Sequence, residues 1–244
     1  MRVPIILIAA FGLFAAVLVW SSRPTLMRYA MTVTVDTPEG PRSGVSVFES
    51  RAQRKLLKFE GVQITSHLSG EAGVVDLPGR GRLFALMEGD PDDRGSGMGQ
   101  LIARTLFPNG PVPTSQRPKL GGPPVLMHRY MQFSENYTGP RMSGYPMLVR
   151  FADISQPETV MRVDPDDLTG SFGPGVHLRS ITIQITDQPI TQKIKQMLPW
   201  LAVRNGTIPR GSDWQFRNGR MMSGRELPLY GRLHDGYFYS GAIQ

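Results

Sequence analysis

The sequence predicts a mainly β protein, β-sandwich-like with a minor α component, carried behind an N-terminal transmembrane helix. Three observations predict it. Several segments alternate apolar and polar residues with a period of two, the signature of half-buried strands. The chain also holds 27 Gly and 21 Pro in 244 residues, a turn-rich composition that disfavours a helical bundle. Finally, Arg2 is followed by an unbroken apolar run from Val3 to Trp20.

That run reaches about 27 Å as a helix at ~1.5 Å per residue, close to the ~30 Å hydrocarbon core of a bilayer. Trp20 at its exit suits the headgroup level, where an amphipathic ring anchors. Residues 1–22 are therefore expected to be an anchor, with the bulk of the chain in the periplasm of a bacterial inner membrane. A cleaved signal segment ending near Ser21, which would release the body to the periplasm, is the alternative. With no cysteine in the chain, lipoprotein acylation, disulfides and thiolate metal sites are excluded.

A first lobe is expected over 23–88. Tyr29, Met31, Val33 and Val35 alternate with Thr32, Thr34 and Asp36, then Thr37-Pro38-Glu39-Gly40-Pro41 turns the chain and Val45 and Val47 resume the pattern. Residues 29–49 thus read as a hairpin. A second hairpin pairs 72–77 with 82–87 through Pro78-Gly79-Arg80-Gly81.

Residues 89–124 contain seven Gly and seven Pro, which interrupt regular structure. A loop or linker is expected there, with a short amphipathic helix over Gln100–Phe107. The C-terminal lobe, 125–244, either stands alone or forms one domain with 23–88. Strands are expected over 146–153, 158–163 and 176–186, the last with Ile181, Ile183 and Ile185 against Thr182, Gln184 and Thr186. Asp187 is expected to cap a helix over 189–198, with Ile190, Ile194, Met197 and Leu198 on one stripe.

Charge is uneven. Of 27 basic and 20 acidic side chains, residues 193–244 hold eight and three. Lys193, Lys195, Arg204, Arg210, Arg217, Arg220, Arg225 and Arg232 are interspersed with Trp200, Trp214, Phe216, Tyr230, Tyr237, Phe238 and Tyr239. A solvated basic surface is the plain reading; docking on an anionic lipid surface or another envelope protein is the functional one. Nucleic acid, which the mixture of cations and rings would otherwise favour, is not expected as a partner behind an export anchor.

No catalytic or cofactor signature appears. His67, His128, His177 and His234 show no ligand spacing, and Gly95, Gly97 and Gly99 lack the strand and Lys-Ser of a phosphate loop. The clusters Asp90, Asp92, Asp93 and Asp164, Asp166, Asp167 surround prolines and read as turns rather than calcium loops. The tripeptides at Asn136 and Asn205 match a glycosylation acceptor only weakly. Binding or scaffolding is the expected role, without metal or cofactor. The competing reading is a glycan hydrolase using carboxylates drawn from Glu71, Asp76, Asp153 and Glu158.

The strings 29–40, 70–77, 145–151 and 171–176 resemble a family of proteobacterial proteins with an N-terminal hydrophobic segment and no assigned activity. That resemblance implies an envelope setting and transfers no site. The Gly44-Val45-Ser46-Val47 turn exit is similar to small transthyretin-like sandwich domains, a likeness of fold alone.

Overall fold

The computed structural model describes residues 25–55, 63–108, 110, 113–131, 138–203, 214–217, 220–223, 229–233 and 235–240. The expected anchor, with Trp20, lies outside the described residues. Among the described residues no helix is long and apolar enough to cross a membrane.

The strands run in chain order as β1 (Thr25–Asp36), β2 (Arg42–Lys55), β3 (Gln63–Glu71), β4 (Gly73–Leu77), β5 (Gly81–Gly89), β6 (Val125–Leu126), β7 (Pro146–Phe151), β8 (Val160–Arg162), β9 (His177–Thr186), β10 (Trp214–Arg217), β11 (Arg220–Ser223) and β12 (Tyr239–Ser240). The helices are short: α1 (Met98–Leu106), α2 (Thr169–Phe172), α3 (Ile194–Met197), α4 (Trp200–Val203) and α5 (Leu229–Arg232). The protein is mainly β, with an antiparallel six-stranded sheet ordered β12-β3-β2-β1-β9-β6 and an antiparallel four-stranded sheet ordered β4-β5-β7-β8. Both expected hairpins form. The first pairs Thr32 with Val45 and Val35 with Arg42, and the second pairs Asp76 with Arg82.

The alternation in β1 places Tyr29, Met31, Val33 and Val35 on one face, where they meet Val75, Leu77, Leu83, Ala85 and Met87 of the other sheet in one buried cluster. Ile181, Ile183 and Ile185 of β9 join it, as the isoleucine pattern requires. The two sheets approach so closely where β2 passes β4 that a Cβ at Gly44 would overlap the Val74 carbonyl oxygen. Only glycine fits there.

Strand β5 is buried on both faces. Leu83, Ala85 and Met87 belong to the first core, while Phe84 and Leu86 join Met147, Val149 and Phe151 in a second. That second core is closed by Ile194, Leu198, Leu201, Leu233, Tyr237 and Phe238. The four-stranded sheet is thus a middle layer, with C-terminal helices and turns on its outer side. Phe151, Trp200 and Phe238 form a ring cluster there with centroids 5.7–6.3 Å apart, within the range of favourable aromatic contact.

The Gly- and Pro-rich stretch 89–124 carries α1, whose Met98, Leu101, Ile102 and Leu106 are buried in the first core. The expected helix at Gln100–Phe107 exists, starting two residues earlier.

The helix expected over 189–198 is shorter than its pattern. Residues 187–193 are not helical, and α3 begins at Ile194. Tertiary bonds hold that stretch against β1 and β2: Arg28 donates to the Asp187 carbonyl, and Thr191 Oγ1 accepts the Val47 N–H at 3.1 Å. Asp187 is no cap. The capping role falls to Glu71, whose carboxylate accepts the Lys193 and Ile194 N–H groups at 2.7 and 2.8 Å.

Candidate functional site

Two turns at one end of the four-stranded sheet build an open cleft. The β4–β5 turn contributes Pro78 and Gly79, with Asp76 and Arg82 beside them; the segment after β7 contributes Ala152, Asp153 and Ile154. Phe84 and Phe151 form the floor of this open cleft of about 620 Å³. Its geometry follows from strand periodicity. Asp76 and Arg82 stand directly opposite across the hairpin and both point away from the core, so they pair at 3.1 Å. On the other wall, Asp153 accepts from Ser155 N–H at 2.9 Å and Ser155 hydroxyl at 2.7 Å. These bonds to Ser155 hold the Asp153 carboxyl below its ordinary range. Trp200 braces this wall from behind, its indole N–H donating to the Ile154 carbonyl at 2.9 Å.

The cleft therefore presents two carboxylates, one guanidinium and a buried aromatic base. It can accept hydroxyl or ammonium donors at Asp76 and Asp153 and donate from Arg82. Of the four carboxylates picked out in the sequence, two come together here. Glu71 instead caps α3, and Glu158 sits in the 3-10 turn preceding β8, outside the cleft lining. Arg82 in the cleft lining and Trp200 behind its wall escaped the sequence reading. Arg82 could have been found from its register opposite Asp76; Trp200 carries no local signal, because its partner is 46 residues away.

The two aspartate clusters also converge, on arginines. Arg162 Nε bonds Asp90 at 3.0 Å and its Nη2 bonds Asp92 at 2.6 Å. Arg129 Nη1 bonds Asp93 at 2.7 Å and its Nε bonds Asp166 at 3.1 Å. Burial works to lower the Arg129 pKa, but the hydrogen bonds that it donates to Asp93 and Asp166 outweigh it and raise it. Asp90 and Asp164 accept the N–H two residues on, and Asp167 accepts Gly170 N–H. These are turn-forming aspartates tied together by cations, and among the described residues no group of three His, Asp or Glu is placed to hold a metal.

Five of the eight basic C-terminal residues lie among the described residues. Lys193 and Lys195 lie at α3, with the Lys195 ammonium 5.0 Å from the Tyr239 ring centroid. Arg217 and Arg220 stand opposite each other in the β10–β11 hairpin, and Arg232 ends α5. Arg204, Arg210 and Arg225 lie outside the described residues, as do Asn136, Asn205 and His234. Several rings between them are structural: Tyr237 and Phe238 are buried, and Trp200 packs against the second core. Those rings are not free to stack on bases.

No protein-family model, no curated protein and no solved structure matches this chain.

Proposed function

We propose that this is a single-pass, envelope-exposed binding or scaffolding protein: a β-sandwich-like body, tethered by residues 3–20, that presents the Asp76–Arg82–Asp153 cleft to a hydroxyl-rich ligand of the envelope. The envelope setting rests on the apolar run behind Arg2 and on the resemblance to anchored proteobacterial proteins. The cleft is the observation that carries the binding role. Its open form and mixed donors and acceptors suit recognition of a polar surface such as a glycan segment, with hydroxyls bonding the carboxylates and guanidinium. Another envelope protein presenting hydroxyl and ammonium groups meets the same chemistry.

In-cell photo-crosslinking tests this reading directly. A crosslinking side chain at position 78, on the cleft rim, is expected to capture envelope material, and Arg82→Ala with Asp153→Ala should abolish the capture. Absence of capture at 78, or capture unaffected by the double variant, rejects the cleft. Recovery of the chain in the soluble cytoplasmic fraction rejects the tether, and a mature N-terminus near Ser21 replaces the tether with a cleaved signal.

The hydrolase reading keeps one favourable observation, the meeting of Asp76 and Asp153 in one cleft. Against it, a glycosidase needs one carboxyl kept protonated by an upward shift, whereas Asp153 is shifted downward and Asp76 is paired with Arg82.

A further inference from the structure

We infer that the end of the six-stranded sheet where β1 begins is a membrane-facing surface that docks on anionic lipid headgroups, with Leu26, Met27 and Leu120 at the interface and Arg51 and Lys119 around them. This rests on the reading of residues 3–20 as a membrane anchor and identifies the face of the body turned toward the bilayer.

The argument begins with chain length. Only Ser21, Ser22, Arg23 and Pro24 separate Trp20 from the start of β1 at Thr25. The five Cα–Cα steps from Trp20 to Thr25 span at most about 18 Å when fully extended. With Trp20 at the headgroups, the start of β1 cannot stand far from them.

The sheet register then supplies an arm pointing the same way. Thr25 pairs with Ala52, so residues 53–55 of β2 continue beyond the start of β1, paired with β3 through Lys55 opposite Gln63. At ~3.4 Å per residue these three positions cover about 10 Å, more than half of the distance the linker allows.

Composition of this end agrees with an interfacial role. Leu26, Met27 and Leu120 are 51%, 36% and 62% exposed, three of the six exposed large hydrophobics among the described residues. Leu120 belongs to this end because Gly121 N–H bonds the Ile185 carbonyl, and Ile185 stands opposite Tyr29. Across the strands, Leu26, Arg51 and His67 form one exposed row. Arg28 is already engaged by Glu49 at 2.9 Å, while the Arg51 side chain is 60% exposed and 3.8 Å from Glu49. Lys119 is exposed beside Leu120. Apolar tips within a basic rim are what an anionic interface favours.

The absence of native cysteine makes the test direct. The full chain carrying Leu120→Cys, or Arg42→Cys at the opposite end of the sheet as control, is labelled with an environment-sensitive fluorophore. It is reconstituted into phosphatidylcholine vesicles with or without about 30% phosphatidylglycerol, containing a headgroup-attached quencher. Quenching at 120 should exceed that at 42, increase with phosphatidylglycerol and weaken in high salt. Each basic side chain near such a surface is worth about fivefold in partition, so Arg51→Glu with Lys119→Glu should strip most of the added quenching. Equal quenching at 120 and 42, or quenching at 120 indifferent to lipid charge, overturns the docking while the chain still floats with vesicles. A full chain that fails to float with neutral vesicles in high salt overturns the anchor itself, and the docking with it.

Discussion

The Glu71 carboxylate accepts the N–H of Ile194 at 2.8 Å from across 123 residues of sequence. Glu71 is buried, at the point where the chain leaves β3 for β4, and Ile194 opens the helix that closes the second core. One side chain thus joins the corner between the sheets to the outer layer. The Ser46 hydroxyl, donating to the Glu71 carbonyl at 2.6 Å, fixes the same corner from β2.

Removing that carboxylate leaves the Lys193 and Ile194 N–H groups without their acceptor in a partly buried place. Glu71→Ala is expected to cost about 1–3 kcal/mol, the usual penalty for orphaned buried donors. Glu71→Gln keeps one oxygen acceptor and should cost less. Urea unfolding of both variants checks the order; an Ala variant as stable as wild type would mean that water replaces the cap without loss.

Two glycines should respond in opposite directions. Gly44 leaves no room for a Cβ against the Val74 carbonyl, so Gly44→Ala must push β2 and β4 apart, at about 3 kcal/mol or more. Gly99 lies inside α1 with open space around it and no positive φ. Gly99→Ala should raise stability by about 0.5–1 kcal/mol through the helix preference of alanine. Thermal denaturation of the pair reads both signs at once. A loop built for close approach of a phosphate would not tolerate the second change.

Arg129 clamps two turns that are distant in sequence. Its side chain is 23% exposed and bonds Asp93 and Asp166, with Ser143 Oγ at 3.1 Å from Nη1. Because Asp166 is 63% exposed, solvent discounts that half of the clamp. Arg129→Ala should cost about 1–2 kcal/mol, mostly through Asp93 and lost packing on the Tyr130 ring. A double-mutant cycle with Asp93→Asn should show greater coupling than one with Asp166→Asn.

What the sequence revealed and what it concealed divide along physical lines. Period-two patterns in β1 and β9 identified strands and their inner faces, because burial of one sheet face leaves its mark every second residue; in β2 the pattern gave the strand but not the face, since Val45 stands opposite Thr32 and is exposed while Phe48 enters the first core. The β4–β5 hairpin was equally legible from Pro78-Gly79. The 189–198 helix failed for a tertiary reason. Its apolar stripe is real at Ile194 and Leu198, but Thr191 and Asp187 are held by β2 and Arg28, which overrides local propensity. Likewise the rings at 237–238 looked like part of a surface pattern because their cations are adjacent in sequence, whereas their partner surface is the distant β5–β7 face. The candidate cleft was half legible. Asp76 and Asp153 were visible as residue types, but their meeting depends on β5 pairing with β7, between Phe84 and Val149.

The protonation of Asp153 decides between recognition and hydrolysis in that cleft. The Ser155 hydroxyl and N–H both donate to the Asp153 carboxylate, so the charged form is favoured and the folded-state pKa is lowered. For a lowered carboxyl, the stabilising contribution is complete above the unfolded value of about 3.9 and is lost as pH falls through the lower folded value. Asp153 should therefore be ionised throughout the neutral and mildly acidic range, accepting hydrogen bonds and donating none. Following its side-chain carboxyl carbon by NMR against pH should give a midpoint below that of an ordinary aspartate, and Ser155→Ala should move the midpoint upward. A midpoint above the ordinary value, unchanged in Ser155→Ala, would instead equip the cleft with the protonated acid that glycoside cleavage requires.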